Sequence, residues 1–175
     1  MFMSKAKGAV RKSGGRRPPW KLLVAGVFVA CALGGIAIGI AWATPGLGIA
    51  TTIIAGPTLL DEVHINSKSD INDVKIKTKG LSDVYVVHNR IVPGGHTGWH
   101  SHPGPSIISV VSGQATEYRN DEPNGLVHPA GSAFVDEGGN HAHILVNEGT
   151  TDLVLVAFQV VPTGAPRRID VPAPF

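Results

Sequence analysis

Leu22 to Ala43, LLVAGVFVACALGGIAIGIAWA, is a run of 22 residues without a charge, and it limits what the rest of the chain can be. As a helix at 1.5 Å rise per residue it reaches about 33 Å, enough to cross a hydrocarbon core of roughly 30 Å. The run is therefore expected to form one transmembrane helix. Seven basic residues (Lys5, Lys7, Arg11, Lys12, Arg16, Arg17 and Lys21) precede it, and no Asp or Glu occurs before Asp61. By the positive-inside rule, residues 1–21 form a basic cytoplasmic tail and everything after residue 43 lies outside. Two versions stay open. An uncleaved signal anchor fits because the run exceeds the roughly 7–15 apolar residues of a signal-peptide core, while Ala41-Trp42-Ala43 has the small-x-small form of a cleavage site. The first gives a single-pass protein of the cell membrane, the second a secreted or periplasmic one. Arg16-Arg17 resembles a twin-arginine signal only faintly, because Pro18-Pro19 follows where an apolar residue belongs. Gly35-x-x-x-Gly39 is a pattern that lets two such helices approach closely, which brings in a homodimer as an expectation. Glycine is also simply common in membrane helices.

The formal charge of +2 hides two opposed regions. After Lys21 there are eight basic residues against thirteen acidic ones, a net −5. The basic excess sits beside the apolar run and not on a folded face, so nucleic acid is not an expected partner. The single cysteine, Cys31, lies inside the run. The exported part must then be held by its core, without a disulfide, and it offers no thiol nucleophile or ligand.

Beyond residue 43 no stretch shows a 3.6-residue apolar repeat. Residues 44–55 are uncharged, but their Pro, Gly and β-branched residues predict a short linker running into a strand near 49–54. Further short runs rich in Val, Ile and Thr follow at 74–78, 84–91, 107–111, 115–119, 133–135, 143–146 and 153–161. Clusters of Gly, Pro, Asn and Asp punctuate them, as at Pro93-Gly94-Gly95 and Pro123-Asn124-Gly125. This is the pattern of an all-β sandwich or barrel. DLVLVAFQVV (152–161) is apolar on both faces, which predicts an interior strand. The Pro-rich tail, residues 163–175, is expected to lie across the surface or stay mobile.

Three of the eight histidines fall within seven residues, at His96, His100 and His102. On an extended strand the rings of His100 and His102 project from one face, a geometry that suits two imidazoles on one cation. An isolated H-x-H is more often a pair of surface residues. Counting from Gly94, however, gives G-x5-H-x-H-x3-S-x6-G, ending at Gly113. This resembles the first motif of the cupin superfamily, with Ser106 where that motif carries a glutamate. Gly131, Gly139, His143 and Asn147 resemble the second motif, with Glu137 in place of a proline and one extra residue before His143.

The resemblance covers roughly residues 48–162, its motifs 94–147. It implies a single conical jelly-roll barrel over residues 44–162, preceded by the transmembrane helix. It also implies that His100, His102 and His143 ligate one divalent transition metal (Fe, Mn, Ni, Zn or Cu), leaving open positions on it. His141 is a rival for the third place, since a one-residue change in the turn swaps which ring points inward. Ser106 can orient a bound water through its hydroxyl. His96 is either a turn residue or a shuttle near the site. Trp99 alternates with His100 and should pack away from the cavity. The acidic pairs Asp121-Glu122 and Asp136-Glu137 are expected in loops as solvated charge.

Two functions follow as expectations. One is an enzyme, an oxidoreductase of the dioxygenase kind or an isomerase or hydrolase, acting on an unidentified small molecule in the barrel. The other is a non-enzymatic binding or sensing module, toward which the missing glutamate leans. A barrel hosts either.

Overall fold

The computed structural model describes residues 43–175. The membrane helix expected over 22–43 lies, but for Ala43, outside the described residues, as does the basic tail. Among the described residues no helix is long and apolar enough to cross a membrane.

The described chain is all β. Its strands are β1 (Leu47–Leu60), β2 (His64–Lys68), β3 (Asp73–Lys77), β4 (Ser82–His96), β5 (His100–Ser101), β6 (Ser106–Ser112), β7 (Gln114–Arg119), β8 (Glu122–Pro129), β9 (Ala133–Asp136), β10 (His143–Val146), β11 (Leu153–Pro162) and β12 (Ile169–Asp170). Pairing is antiparallel throughout. One array runs β1-β4-β11-β6-β9 and another β8-β7-β10-β5-β12; a bridge between Val146 and His96 joins them into a nearly closed barrel. β2 and β3 form a separate hairpin.

The core forms because the inward positions of paired strands carry the apolar residues. Val87 and Ile91 of β4 meet Leu153, Leu155 and Ala157 of β11, Ile108 and Val110 of β6, Ala115 of β7 and Leu145 of β10. β11 is interior, as its apolar content predicts, held by β4 on one side and β6 on the other. Its inward face stays buried from Leu153 to Val161 while Phe158 points outward. Toward one end the inward positions turn polar, with Ser106, Gln159, Glu117, Asp136 and His143 all buried. That change of character within one face marks the site.

Candidate metal centre

The register brings the three histidines together. His143 opens β10 and pairs with His100 of β5 on one side and with Arg119 of β7 on the other. His102 lies just past β5. All three are buried. His100 and His102 have ring centroids 4.8 Å apart, and His100 and His143 4.5 Å apart. One nitrogen from each of the three lies within 4.8 Å of those of the other two, so the group can hold a metal ion.

The other nitrogen of each ring is already committed. His100 Nδ1 lies 2.8 Å from the Gly98 carbonyl, His102 Nδ1 2.6 Å from the Arg167 carbonyl, and His143 Nδ1 3.1 Å from Glu117 Oε1. A carbonyl and an ionised carboxylate only accept, so each Nδ1 carries the proton and donates it. In its neutral form each ring then presents a bare Nε2 lone pair. His100 Nε2 and His143 Nε2 stand 3.2 Å apart. Two lone pairs facing across that gap repel unless a proton or a cation lies between them, and outward-donating Nδ1 groups are what metal-binding histidines ordinarily have.

Local backbone sets these directions. Gly98 has φ +72°, and a Cβ there would meet the Thr44 carbonyl at 2.1 Å, so only glycine turns the chain to aim its own carbonyl at His100. Asn147 is fully buried; its amide donates to the Ile91 and Thr151 carbonyls while its Oδ1 accepts from Gly149. It ties the end of β10 to β4, which explains structurally why an asparagine follows His143 by four residues.

The remaining sequence candidates separate cleanly. His141 is half exposed, its Nε2 3.6 Å from Glu137, and it stands outside the cluster. His96 is not a turn residue: it ends β4, paired with Val146 and Leu47, and its Nδ1 accepts from the Gly98 amide. Ser106 is wholly buried, and its hydroxyl oxygen accepts from Gln159 Nε2 at 3.1 Å. Trp99 is buried and packs edge-on against Phe175. The expectation for the acidic pairs is overturned at two residues: Glu122 opens strand β8, and Asp136 is not a solvated loop charge. It ends β9 on the inward face at 4% exposure, while Glu137 beside it is exposed. The strand ends between them, Asp136 taking its last inward position and Glu137 opening the turn beyond it, so two adjacent acids need not share an environment.

Sequence reading also missed Glu117, Gln159 and the tail. Glu117 accepts from His143 and, through its other oxygen, from His128 at 3.0 Å. Burial would raise its carboxyl, but the two histidine hydrogen bonds outweigh that and hold it below its ordinary value. The Pro-rich tail pairs β12 with β5, supplies the Arg167 carbonyl to His102, and sets the Arg167 guanidinium on Gln159 Oε1 at 2.9 Å. The only signal for this was the doublet Arg167-Arg168 near Asp170, a charged patch in an otherwise uncharged tail.

A cavity of about 290 Å³ opens on the histidines, walled by Ile108, Leu145 and Leu155 on the core side and by Gln159, Arg167 and Arg168 at the tail side. A second, of about 270 Å³, reaches His143 and Asp136 from the β7–β9 side through Glu117 and Glu137.

An all-β barrel with three histidines converging at one end defines the class that this chain resembles. Among solved structures, it is similar to a cupin domain from Bordetella pertussis Tohama I, at 18% identity over 68% of this chain and 97% of that one, with a TM-score of 0.46. It is also similar to a conserved protein with a double-stranded β-helix domain from Klebsiella pneumoniae (20% identity, 65% of this chain and 86% of that one, TM-score 0.43). A third likeness is to the polyketide cyclase RemF from Streptomyces resistomycificus (19% identity, 50% of this chain and 60% of that one, TM-score 0.44). These likenesses concern the fold. No protein-family model and no curated protein matches the sequence.

Proposed function

We propose that this barrel binds one divalent transition metal through the Nε2 atoms of His100, His102 and His143 and captures a small polar molecule in the adjoining cavity. The observation that carries the reading is the shared hydrogen-bond polarity: all three Nδ1 atoms donate outward to fixed acceptors, leaving three Nε2 lone pairs turned toward one another. A metal there would supply Lewis acidity and open positions for an oxygen ligand. The Arg167 guanidinium, half-buried beside Gln159, gives the cavity a cationic wall, so an anionic or strongly polar guest suits it.

Of the two functions, capture without turnover has a specific observation behind it. Among the described residues that line the cavity, the one carboxylate is Asp170, and it is paired with Arg168. A base for proton abstraction is therefore not standing free on the wall of that cavity; the carboxylates of Glu117, Asp136 and Glu137 line the second one, on the other side of His143. Turnover of the dioxygenase or isomerase kind remains the alternative, with the metal supplying the chemistry and the cavity the orientation. Loaded protein that consumes a panel of small carboxylates would decide for the enzyme.

We also propose that the N-terminal run delivers the barrel across the cell membrane, as anchor or as cleaved signal. The support is the length of the run and the seven positive charges before it. Protease accessibility of the barrel in intact cells tests this, and a barrel protected until the cells are lysed would contradict it. The test of the metal reading is elemental analysis of the full chain in mild detergent beside a His100→Ala, His102→Ala variant. The full chain should carry close to one equivalent and the variant almost none. Equal content in the two proteins would remove the reading.

A further inference from the structure

We propose that Asp136 is the fourth protein ligand of this centre, supplying from β9 the carboxylate that the first motif lacks at Ser106. The proposal rests on the three-histidine reading above.

Asp136 has one satisfied oxygen and one orphan. Its Oδ1 accepts from the Gly138 amide at 3.0 Å, whereas Oδ2 is buried without a hydrogen-bond partner. A bare carboxylate oxygen in a protein interior is costly and calls for a donor or a cation. What Oδ2 faces is His102 Nε2 at 3.7 Å and His143 Nε2 at 3.9 Å. Both are acceptors in the neutral rings, and both distances are too long for a hydrogen bond. They lie close to the separation of atoms that share an ion: ligands about 2.0–2.2 Å from one centre stand roughly 3.0–3.6 Å apart.

The sheet register explains how the carboxylate gets there. Ser106 of β6 and Asp136 of β9 are direct partners across the ladder, and Ile108 and Phe134 are the next inward pair. Residues directly opposite one another in an antiparallel ladder point to the same face, about 4.5–5.5 Å apart at Cβ. Moving an acid from one strand to its cross-strand neighbour therefore keeps it on the same wall of the barrel. Serine at 106 leaves room for it, and the Ser106 hydroxyl is turned to Gln159 on β11. The turn after Asp136 is fixed by Gly138, where φ is +72° and a Cβ would meet the Gly104 carbonyl at 2.4 Å. That turn aims the amide that holds Oδ1 and so leaves Oδ2 facing the histidines. With three neutral imidazoles, one carboxylate leaves a divalent ion at net +1, the balance that Ser106 alone would have forfeited.

The test is a Co(II) titration of the full chain in mild detergent, followed by visible absorption and chelator competition, for the unaltered protein, Asp136→Asn and Glu137→Gln. Asparagine keeps Oδ1 for Gly138 and places an NH₂ donor where the orphan oxygen was. Asp136→Asn should weaken Co(II) binding about ten-fold or more, since losing a ligand costs no less than losing its supporting partner. Glu137→Gln should bind as the unaltered protein does, and the thermal midpoint of metal-free Asp136→Asn should equal or exceed that of the unaltered protein. Unchanged Co(II) affinity in Asp136→Asn, with the unaltered protein binding normally, overturns the assignment and leaves the three-histidine site standing. A metal-free Asp136→Asn that loses stability as well as affinity also overturns it, because Asp136 would then be an ion-pair partner of the histidines. An unaltered protein that takes up no Co(II) removes both readings. If the variant fails to fold, a crystal structure of the Co(II)-loaded protein decides: an Asp136 oxygen within about 2.5 Å of the ion supports the proposal, and one well beyond that contradicts it.

Discussion

Glu117 holds two rings at once, taking the Nδ1 proton of His143 and a hydrogen bond from His128, whose ring stacks on Phe134 at 3.8 Å. Exchanging this carboxylate for a neutral amide weakens its grip on the His143 tautomer without touching a ligand. Glu117→Gln should therefore lower metal affinity by about 10–100-fold, measurable by the same chelator competition. The histidines also predict a pH dependence. Burial, with His143 and the Arg168 charge nearby, lowers His100 well below its ordinary value. Burial also lowers His102 to about 4, against the opposing pull of the Arg167 carbonyl and Asp136. In the unfolded chain both rings protonate near 6.5, so from there down to about 4 the unfolded state binds more protons than the folded one. The thermal midpoint of the metal-free protein should fall as pH drops through that window, and the fall should be smaller in His102→Gln. The three histidines were legible in the sequence because their motifs are local. Asp136, Glu117, Gln159 and Arg167 were not, because each reaches the site through a strand partner that spacing along the chain does not reveal.

Strands, too, were legible in proportion to how local their cause is. β6, β10 and β11 carry alternating or continuous apolar residues and stand where the sequence predicts them, whereas β4 runs on past its expected end at Ile91 through Pro93-Gly94-Gly95 to His96. β8, EPNGLVHP, holds Pro and Gly beside mostly exposed residues, and β2, HINSK, is exposed throughout. β5 and β12, two residues each, are defined by their partners: β5 lies between β10 and β12, and β12 pairs with β5. No window of sequence contains that information. Their pairing makes the tail part of the site: the Val171 amide donates to the Trp99 carbonyl, Phe175 packs on Trp99, and the Arg167 carbonyl orients His102. Ending the chain after Ala165 should uncover Trp99, seen as a red shift of its fluorescence. Metal affinity should fall in the same variant, because His102 loses the acceptor that fixes its tautomer. A truncated chain with unaltered metal affinity would show that the tail merely covers the barrel.

At the scale of the whole molecule, one barrel wall does two jobs with one alternation. Inward positions of β4, β6 and β11 are apolar through Val87, Val110 and Leu155 and polar at Ser106 and Gln159. The core thus forms the floor of the site, and the three histidines sit at its polar end. Leu155 is fully buried in the same core cluster as Ala115 and Leu145 of the other array, and it also lines the cavity. Leu155→Ala should cost about 2–5 kcal/mol of stability in chemical denaturation, the usual range for an uncollapsed core cavity. The fold class was readable from the β-branched runs, although Pro93-Gly94-Gly95 and Pro123-Asn124-Gly125, expected as breaks, lie within β4 and β8; the two-array order was not, because it depends on which distant strands pair. Function is less constrained than fold, since the barrel fixes where the histidines point but not which guest enters. The central claim is that three Nε2 atoms converge on one ion. It is tested most directly by anomalous scattering from crystals of the metal-loaded full chain. The structure predicts a single peak about 2.0–2.2 Å from Nε2 of His100, His102 and His143. Metal-loaded crystals with no peak between those rings, or with the peak on other residues, would contradict it.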